Sequence, residues 1–216
     1  MTAGKGNKML NILSGIPESV ELNLDTTLID NLEYCNFVYM CIKKPNSFYR
    51  VPDNIFGILE PILNIVSNEQ TINQYCYVTI KKMFVQPNTF GNREGWHIDG
   101  FLGGDQINFI WSNSLPTEVA LGVFNLSEDH HKSLLEMNEQ VKENIFLQTN
   151  TLYKLDQTCI HRPSINTSNQ SVLRTFIKVT FSSELFNGFG NAWNYKLPHI
   201  KPTKNRSVER NHGTMY

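Results

Sequence analysis

Two metal-binding residue types stand two positions apart in the segment GWHIDGF, the imidazole of His97 and the carboxylate of Asp99. A second imidazole, His161, lies far along the chain in LDQTCIHRP. With 6 His in the chain, a lone His-x-Asp would arise by chance in about one such chain in five, so the pair says little without its context. Two neutral imidazoles and one carboxylate on one face of an octahedral ion leave three positions open for exogenous ligands. In a regular strand, residues two apart share a face, which lets His97 and Asp99 point the same way. Plainer readings exist for each: hydrogen-bonded structural histidines, and a turn aspartate before Gly100.

The elements that must position these residues are mostly strands. From residue 74 onward, QYCYVTIKKMFVQ, GWHID, QINFIWSN, TEVALGVF, NIFLQ, TLYKLD, TCIH and SVLRTFIKVTFSS are short runs rich in β-branched and aromatic residues. Gly, Pro, Asn and Asp separate them. SEDHHKSLLEMNEQVKE interrupts the series with a helix that Ser127 would cap. Upstream, PDNIFGILEPILNIVSNEQ spaces Ile55, Phe56, Leu59, Ile62, Leu63 and Val66 on one helical face. Asp53 is the expected N-cap there, and Pro61 a kink or break. The expectation is a mainly β fold with flanking helices, a double sheet or jelly-roll barrel. One domain spans 1–216: helical support over 1–73, a β core over 74–182 and an extension over 183–216.

Composition narrows the classes. At 216 residues, 40% hydrophobic and 18% charged, the chain can build a sizeable core. A net charge of -1 argues against a protein held mainly by nucleic-acid phosphates or anionic lipid. The N-terminal segment has no signal-peptide pattern and no run is long enough to span a bilayer, so a cytoplasmic protein is expected. Cys35, Cys41, Cys76 and Cys159 lack C-x-x-C spacing and read as free thiols. The tail from Lys196 is basic, with Lys201, Lys204, Arg206 and Arg210 outweighing Glu209. It reads as a flexible terminus, or else as a lid or an arm for an anionic substrate.

One further residue fits the set. Arg174 stands thirteen positions after His161, early in the last strand, where a guanidinium could hold a carboxylate through two parallel hydrogen bonds. A surface salt bridge is the plainer reading. In this order, His97-x-Asp99, His161 and Arg174, the region 74–182 resembles the Fe(II)- and 2-oxoglutarate-dependent dioxygenases. The resemblance implies a double-stranded β-helix (a cupin-like barrel), Fe(II), 2-oxoglutarate and O2, with release of succinate and CO2. Carried over, His97, Asp99 and His161 bind iron, and Arg174 binds the C5 carboxylate of 2-oxoglutarate. Many members carry Ser two residues after the Arg; here Phe176 stands there, so Thr79 or Tyr77 would have to supply the hydroxyl. The presence of Asp99 argues against a halogenase.

Asn108 is a further candidate for the cosubstrate, and Arg93, Trp111 and Arg162 are candidates for substrate. Strand alternation aims Arg162 away from His161, which favours a structural role. Cys159 shares the face of His161 and reads as a core thiol, while His130 and His131 read as solvent-exposed. The glycines of FLGGDQ suit a loop that closes over substrate, or a surface turn. The expected reaction is hydroxylation of an unactivated C–H bond in a small molecule or a single residue. A nucleobase or protein side chain is the alternative substrate. A non-catalytic, cupin-type metal and ligand binder is the alternative of another class, and a ligand-free β-sandwich a third reading.

Overall fold

The computed structural model describes residues 8–103 and 105–203. Strand accounts for 37% and helix for 17%, so the protein is mainly β, with antiparallel sheets. Before residue 74 lie β1 (Met9–Ser14), β2 (Glu18–Val20), α1 (Thr26–Asn31), β3 (Cys35–Lys43) and α2 (Asp53–Val66). Then follow β4 (Tyr75–Val85), β5 (Ile107–Ser112), β6 (Thr117–Ser127), α3 (His130–Gln140), β7 (Glu143–Phe146), β8 (Leu152–Leu155), β9 (His161–Pro163) and β10 (Val172–Ser182).

The large sheet runs β2-β8-β5-β10-β4-β3. The small one runs β1-β6-β7, with β9 also paired to β6. Residues 8–73 are therefore more than helical support, since three of their segments complete the sheets. In the large sheet the period of two sorts side chains to opposite faces. Val78, Ile80, Phe109, Trp111, Ile177 and Val179 join the core on the side of α2. Ile110, Tyr153 and Phe176 face the other way and pack with Val119 of the small sheet. The candidate site lies on this second side.

The helix over 53–66 forms as expected, with two changes. Pro52 is the N-cap and Asp53 the first helical residue. Ile58 takes the buried place expected of Phe56, a residue that is 44% exposed. Pro61 stays inside the helix, which continues past its missing donor. On α3 the cap is Asp129, which accepts from the amides of His131 and Lys132 at 2.9 Å each. Ser127 instead ends β6, fully buried.

Two buried lysines act as backbone anchors. Lys82 Nζ donates to the carbonyls of Ile29 and Asp30 at the end of α1. Lys43 Nζ donates to those of Thr71, Ile72 and Gln74 at 2.8–3.0 Å. Replacing Lys43 with methionine leaves three carbonyls without their donor and should cost about 2–4 kcal/mol, since bonds to charged groups exceed neutral ones. Denaturant unfolding measures this. A change within about 0.5 kcal/mol, ordinary for a surface substitution, would show that water replaces the ammonium.

All four cysteines are free. No helix among the described residues is long and apolar enough to cross a membrane.

Candidate metal centre

His97 and Asp99 lie on a segment that is extended only briefly. GWHID does not form the expected strand, because Gly95 at φ +86 and Gly100 at φ +74 break the extended backbone on either side. What remains is one bridge to β9: His97 N donates to His161 O at 3.0 Å, and His161 N returns to His97 O at 2.9 Å. That bridge sets the two imidazoles side by side, with ring centroids 4.6 Å apart and planes tilted by 53°. Gly100 also has a packing reason, since a Cβ there would stand 2.7 Å from Gln106 Cβ.

Neighbouring elements pin both segments. Asn138 of α3 accepts from Trp96 N at 3.2 Å. Ser14, at the end of β1, accepts from Ile160 N at 3.0 Å and donates to Ala120 O at 2.7 Å. Each histidine is oriented by its own backbone. His97 Nδ1 meets Gly95 O at 2.9 Å, and His161 Nδ1 meets Cys159 O at 3.0 Å. A carbonyl can only accept, so both Nδ1 atoms carry a proton and Nε2 is the atom through which each neutral ring would ligate, the arrangement metal-ligating histidines require. One ligand atom from each of His97, Asp99 and His161 lies within 4.8 Å of the others. That spread suits ligands around a single ion.

Lys178 completes the cluster and has no counterpart in the sequence reading. Its Nζ is 2.8 Å from Asp99 Oδ2 and 2.8 Å from Tyr39 Oη. His161 Nε2 approaches the same carboxylate oxygen at 3.7 Å. The charges follow from this packing. Burial would raise the Asp99 pKa, but Lys178 and then His161 hold it well below the carboxylate range. Burial would lower His161, yet its pairing with the Asp99 carboxylate lifts it to about 10. For His97, burial and then the charge of His161 outweigh the pull of Asp99 and push its pKa down to about 3. Lys178 stays charged, its pKa raised by Asp99 against burial.

A cavity of about 300 Å³ opens over the triad. Thr79, Lys81, Arg93, His130, Phe176 and Lys178 are among its lining residues. His130 is thus on the cavity wall rather than simply solvent-exposed, whereas His131 is exposed. Tyr39 reaches the wall from a bulge in β3, where the register shifts between Phe37 and Met40 and its own φ is +45. Its amide donates to Thr79 Oγ1 at 3.1 Å. Lys178 and Lys81 were accessible in principle, because alternation puts them on the faces of Arg174 and Thr79. The Tyr39 bulge left no signal.

Other expected residues stand elsewhere. Tyr77 shares the face of Thr79, but its hydroxyl donates to Glu184 O and accepts from Phe186 N, each at 2.9 Å, and Phe186 stacks on its ring. Asn108 is fully buried, with its Oδ1 accepting from Gln106 Nε2 and Thr180 Oγ1. Neither lines the cavity. Trp111 is in the core on the α2 side of the sheet. Arg162 points away from His161; its Nε and Nη2 donate to Glu118 Oε2, and its guanidinium lies 4.4 Å from the Trp96 ring centre. Cys159 is a core thiol, packed with Val119 and Leu155.

Arg174 lies on the same face of β10 as Phe176 and Lys178 but behind the cavity wall. Its Nε donates to the carbonyls of Ser114 and Leu115 at 3.2 and 3.0 Å. Its Nη2 is buried without a hydrogen-bond partner among the described residues. Burial alone lowers its pKa, to about 10, so it remains a cation, and no carboxylate pairs with it among the described residues. The guanidinium lies 4.8 Å from the Phe176 ring centre, and Phe176 itself lines the cavity.

The first part of the basic tail packs on the fold. Lys196 pairs with Asp53, and Leu197 and Ile200 pack against the cluster of Tyr39, Cys41 and Tyr77. Lys201 lies over Trp193. Lys204, Arg206, Glu209 and Arg210, which the lid reading also used, lie outside the described residues. Comparison with protein-family models, curated proteins and solved structures finds no match for the chain.

Proposed function

We propose that the protein is an Fe(II)- and 2-oxoglutarate-dependent oxygenase that hydroxylates an unactivated C–H bond of a small molecule or a single residue. The observation that carries this reading is the convergence of His97, Asp99 and His161, with both Nδ1 atoms committed to carbonyls, which leaves Nε2 as the ligating atom of each ring. Two imidazoles and one carboxylate form the donor set of the facial triad.

Sheet order supports a double-stranded β-helix over 74–182. Eight extended segments can be counted: β4, the His97 segment, then β5, β6, β7, β8, β9 and β10. The large sheet joins the first, eighth, third and sixth. The small one joins the second, seventh, fourth and fifth. First therefore pairs with last and second with next to last, as two intercoiled halves require.

The donor chemistry fits iron, with His97, Asp99 and His161 as its ligands. For 2-oxoglutarate, the orphaned Nη2 of the buried Arg174 fits a carboxylate, and Phe176 would have to swing aside for it. When bound, Fe(II) and 2-oxoglutarate supply the oxidation, consuming O2 and releasing succinate and CO2. The chain's own residues orient and exclude. The carbonyls of Gly95 and Cys159 hold the imidazoles, Lys178, which also donates to Tyr39, fixes the carboxylate, and Phe101 and Phe176 limit water on the wall.

The Phe176 ring between Arg174 and the cavity also favours a second reading, a cupin-type metal and ligand binder that makes no use of 2-oxoglutarate. Succinate release separates the two. Purified protein with Fe(II), 2-oxoglutarate and air should form succinate, and a screen of amino acids, nucleosides, oligonucleotides and peptides should raise its rate. No succinate above the metal-free control, in any well, would leave only the binder. Stimulation by oligonucleotides alone would move the substrate to the nucleobase class.

A further inference from the structure

A full positive charge is bonded to the only carboxylate of the triad. Lys178 Nζ donates to Asp99 Oδ2 at 2.8 Å, and the two side chains are only 10% and 16% exposed. The ammonium is held from several directions. The Lys178 backbone stands in mid-sheet, opposite Thr79 of β4 and Ile110 of β5. Its Nζ also donates to Tyr39 Oη at 2.8 Å and lies 4.5 Å from the centre of that ring. Tyr39 is fixed in turn. Its amide donates to Thr79 Oγ1, its ring meets Phe186 edge-on at 5.7 Å, and Leu197 and Ile200 pack against its cluster. The ammonium therefore stays beside Asp99 when an ion arrives.

This changes what the carboxylate can do for a metal. In a facial triad the carboxylate is the anionic ligand, and it offsets half the charge of a divalent ion. Here an ammonium already answers that charge, in an interior where charges are weakly screened. With both imidazoles neutral, as ligation requires, the triad and Lys178 together carry no net charge. Asp99 is the only carboxylate among the described residues of the cavity wall, so no second one makes up the deficit. The missing negative charge has to arrive with a ligand.

We propose that Lys178 is a built-in counter-ion for Asp99 that makes metal binding depend on an anionic chelator: the ion binds weakly alone and tightly together with a dianion. The proposal rests on the metal-centre reading and deepens the oxygenase reading, whose cosubstrate is such a dianion. Coupling of this kind is reciprocal, so the ion strengthens the dianion by the same factor. In the metal-free protein the same ammonium spares Asp99 a buried charge without a partner.

Aiming Asp99 and neutralising it predict opposite results. If Lys178 only aimed the carboxylate, its removal would weaken metal binding, as loss of an outer partner does. If it takes up the charge, its removal strengthens metal binding, because the ion alone then answers Asp99. The test uses the full chain, Mn(II) as the divalent probe and oxalate as the dianionic chelator. Free Mn(II) is read from its paramagnetic resonance signal and corrected for oxalate binding in solution. Lys178→Met should bind Mn(II) alone about tenfold more tightly than the wild type, within the roughly 5–150-fold range of coupling between sites. Oxalate should tighten Mn(II) correspondingly less in this variant. Mn(II) should also raise its thermal unfolding temperature more than that of the wild type. Lys178→Arg, which keeps the charge, should behave as the wild type.

Mn(II) affinity in Lys178→Met equal to or below that of the wild type overturns the proposal. Lys178 then only aims Asp99, and the oxygenase reading stands. Should the substitution prevent folding, the wild type decides alone. Its bound Mn(II) should hold oxalate at least as tightly as aqueous Mn(II) does, because the ion keeps its full charge; weaker binding overturns the proposal. If oxalate couples to the metal through Lys178 but 2-oxoglutarate does not, the proposal stands and the oxygenase reading falls. If the wild type takes up no Mn(II), with or without oxalate, the metal centre and both readings fall together.

Discussion

Replacing His161 with alanine is expected to abolish metal binding at concentrations that saturate the wild-type protein. Three protein ligands leave no redundancy, and His161 is the ligand that brings β9 to the His97 segment. Loss of an outer partner of a metal site already costs roughly 10–100-fold in affinity, so loss of the ligand itself should exceed that. Anaerobic titration of Fe(II) against a chromophoric chelator measures the change. Unaltered affinity in His161→Ala would remove this residue from the site. In the same titration, metal uptake by the wild type should release a proton, because Asp99 lifts the His161 pKa to about 10. The sign follows: apparent affinity rises with pH through the neutral range and flattens near that value. In the metal-free protein the His161–Asp99 ion pair contributes stability fully below the ordinary imidazole value, and that contribution is lost as pH rises towards about 10.

How far residue order alone could go is visible in these same side chains. His97, Asp99 and His161 were legible because ligation constrains type and spacing together, and because strand alternation fixes which neighbours share a face. Alternation also aimed Arg162 away from His161, where it meets Glu118 and Trp96. It could not say which face of a strand meets the cavity, so Trp111 was a substrate candidate although its ring packs towards α2. Nor does sharing a face fix distance along it: Tyr77 lies on the face of Thr79 but under Phe186. The strands before residue 74 were harder still. β1 and β3 pair with β6 and β4, partners distant in sequence, and no local turn announces such contacts. Lys178 shows a different gap. A lysine in a strand reads as a solvated charge until the structure places Asp99 2.8 Å away.

Cosubstrate affinity should depend on Arg174 far more than metal affinity does. The guanidinium is buried with Nη2 unpartnered and with no carboxylate beside it among the described residues, so a charge has been taken from water without a counterion. Such a group is costly unless an anion completes it. Arg174→Met keeps much of the side-chain length and removes the charge. Losing a desolvated, hydrogen-bonded charge contact typically costs ~2–5 kcal/mol, which is roughly a 30-fold or greater rise in the dissociation constant of 2-oxoglutarate. Fe(II) affinity should stay within about twofold, because Arg174 is not among the triad residues and does not contact Lys178 through any bond that orients Asp99. Calorimetric titration of 2-oxoglutarate into the Fe(II)-loaded protein, without oxygen, reads the first effect, and the chelator competition reads the second. Phe176→Ala belongs in the same series. The ring covers the guanidinium, so its removal should leave 2-oxoglutarate binding equal or tighter, even though a buried aromatic lost to alanine costs about 3–5 kcal/mol of fold stability. Should Arg174→Met take up 2-oxoglutarate at the same concentration as the wild type, the arginine's role reduces to its bonds with the Ser114 and Leu115 carbonyls. The cosubstrate carboxylate would then have to be held elsewhere on the cavity wall, or not held at all.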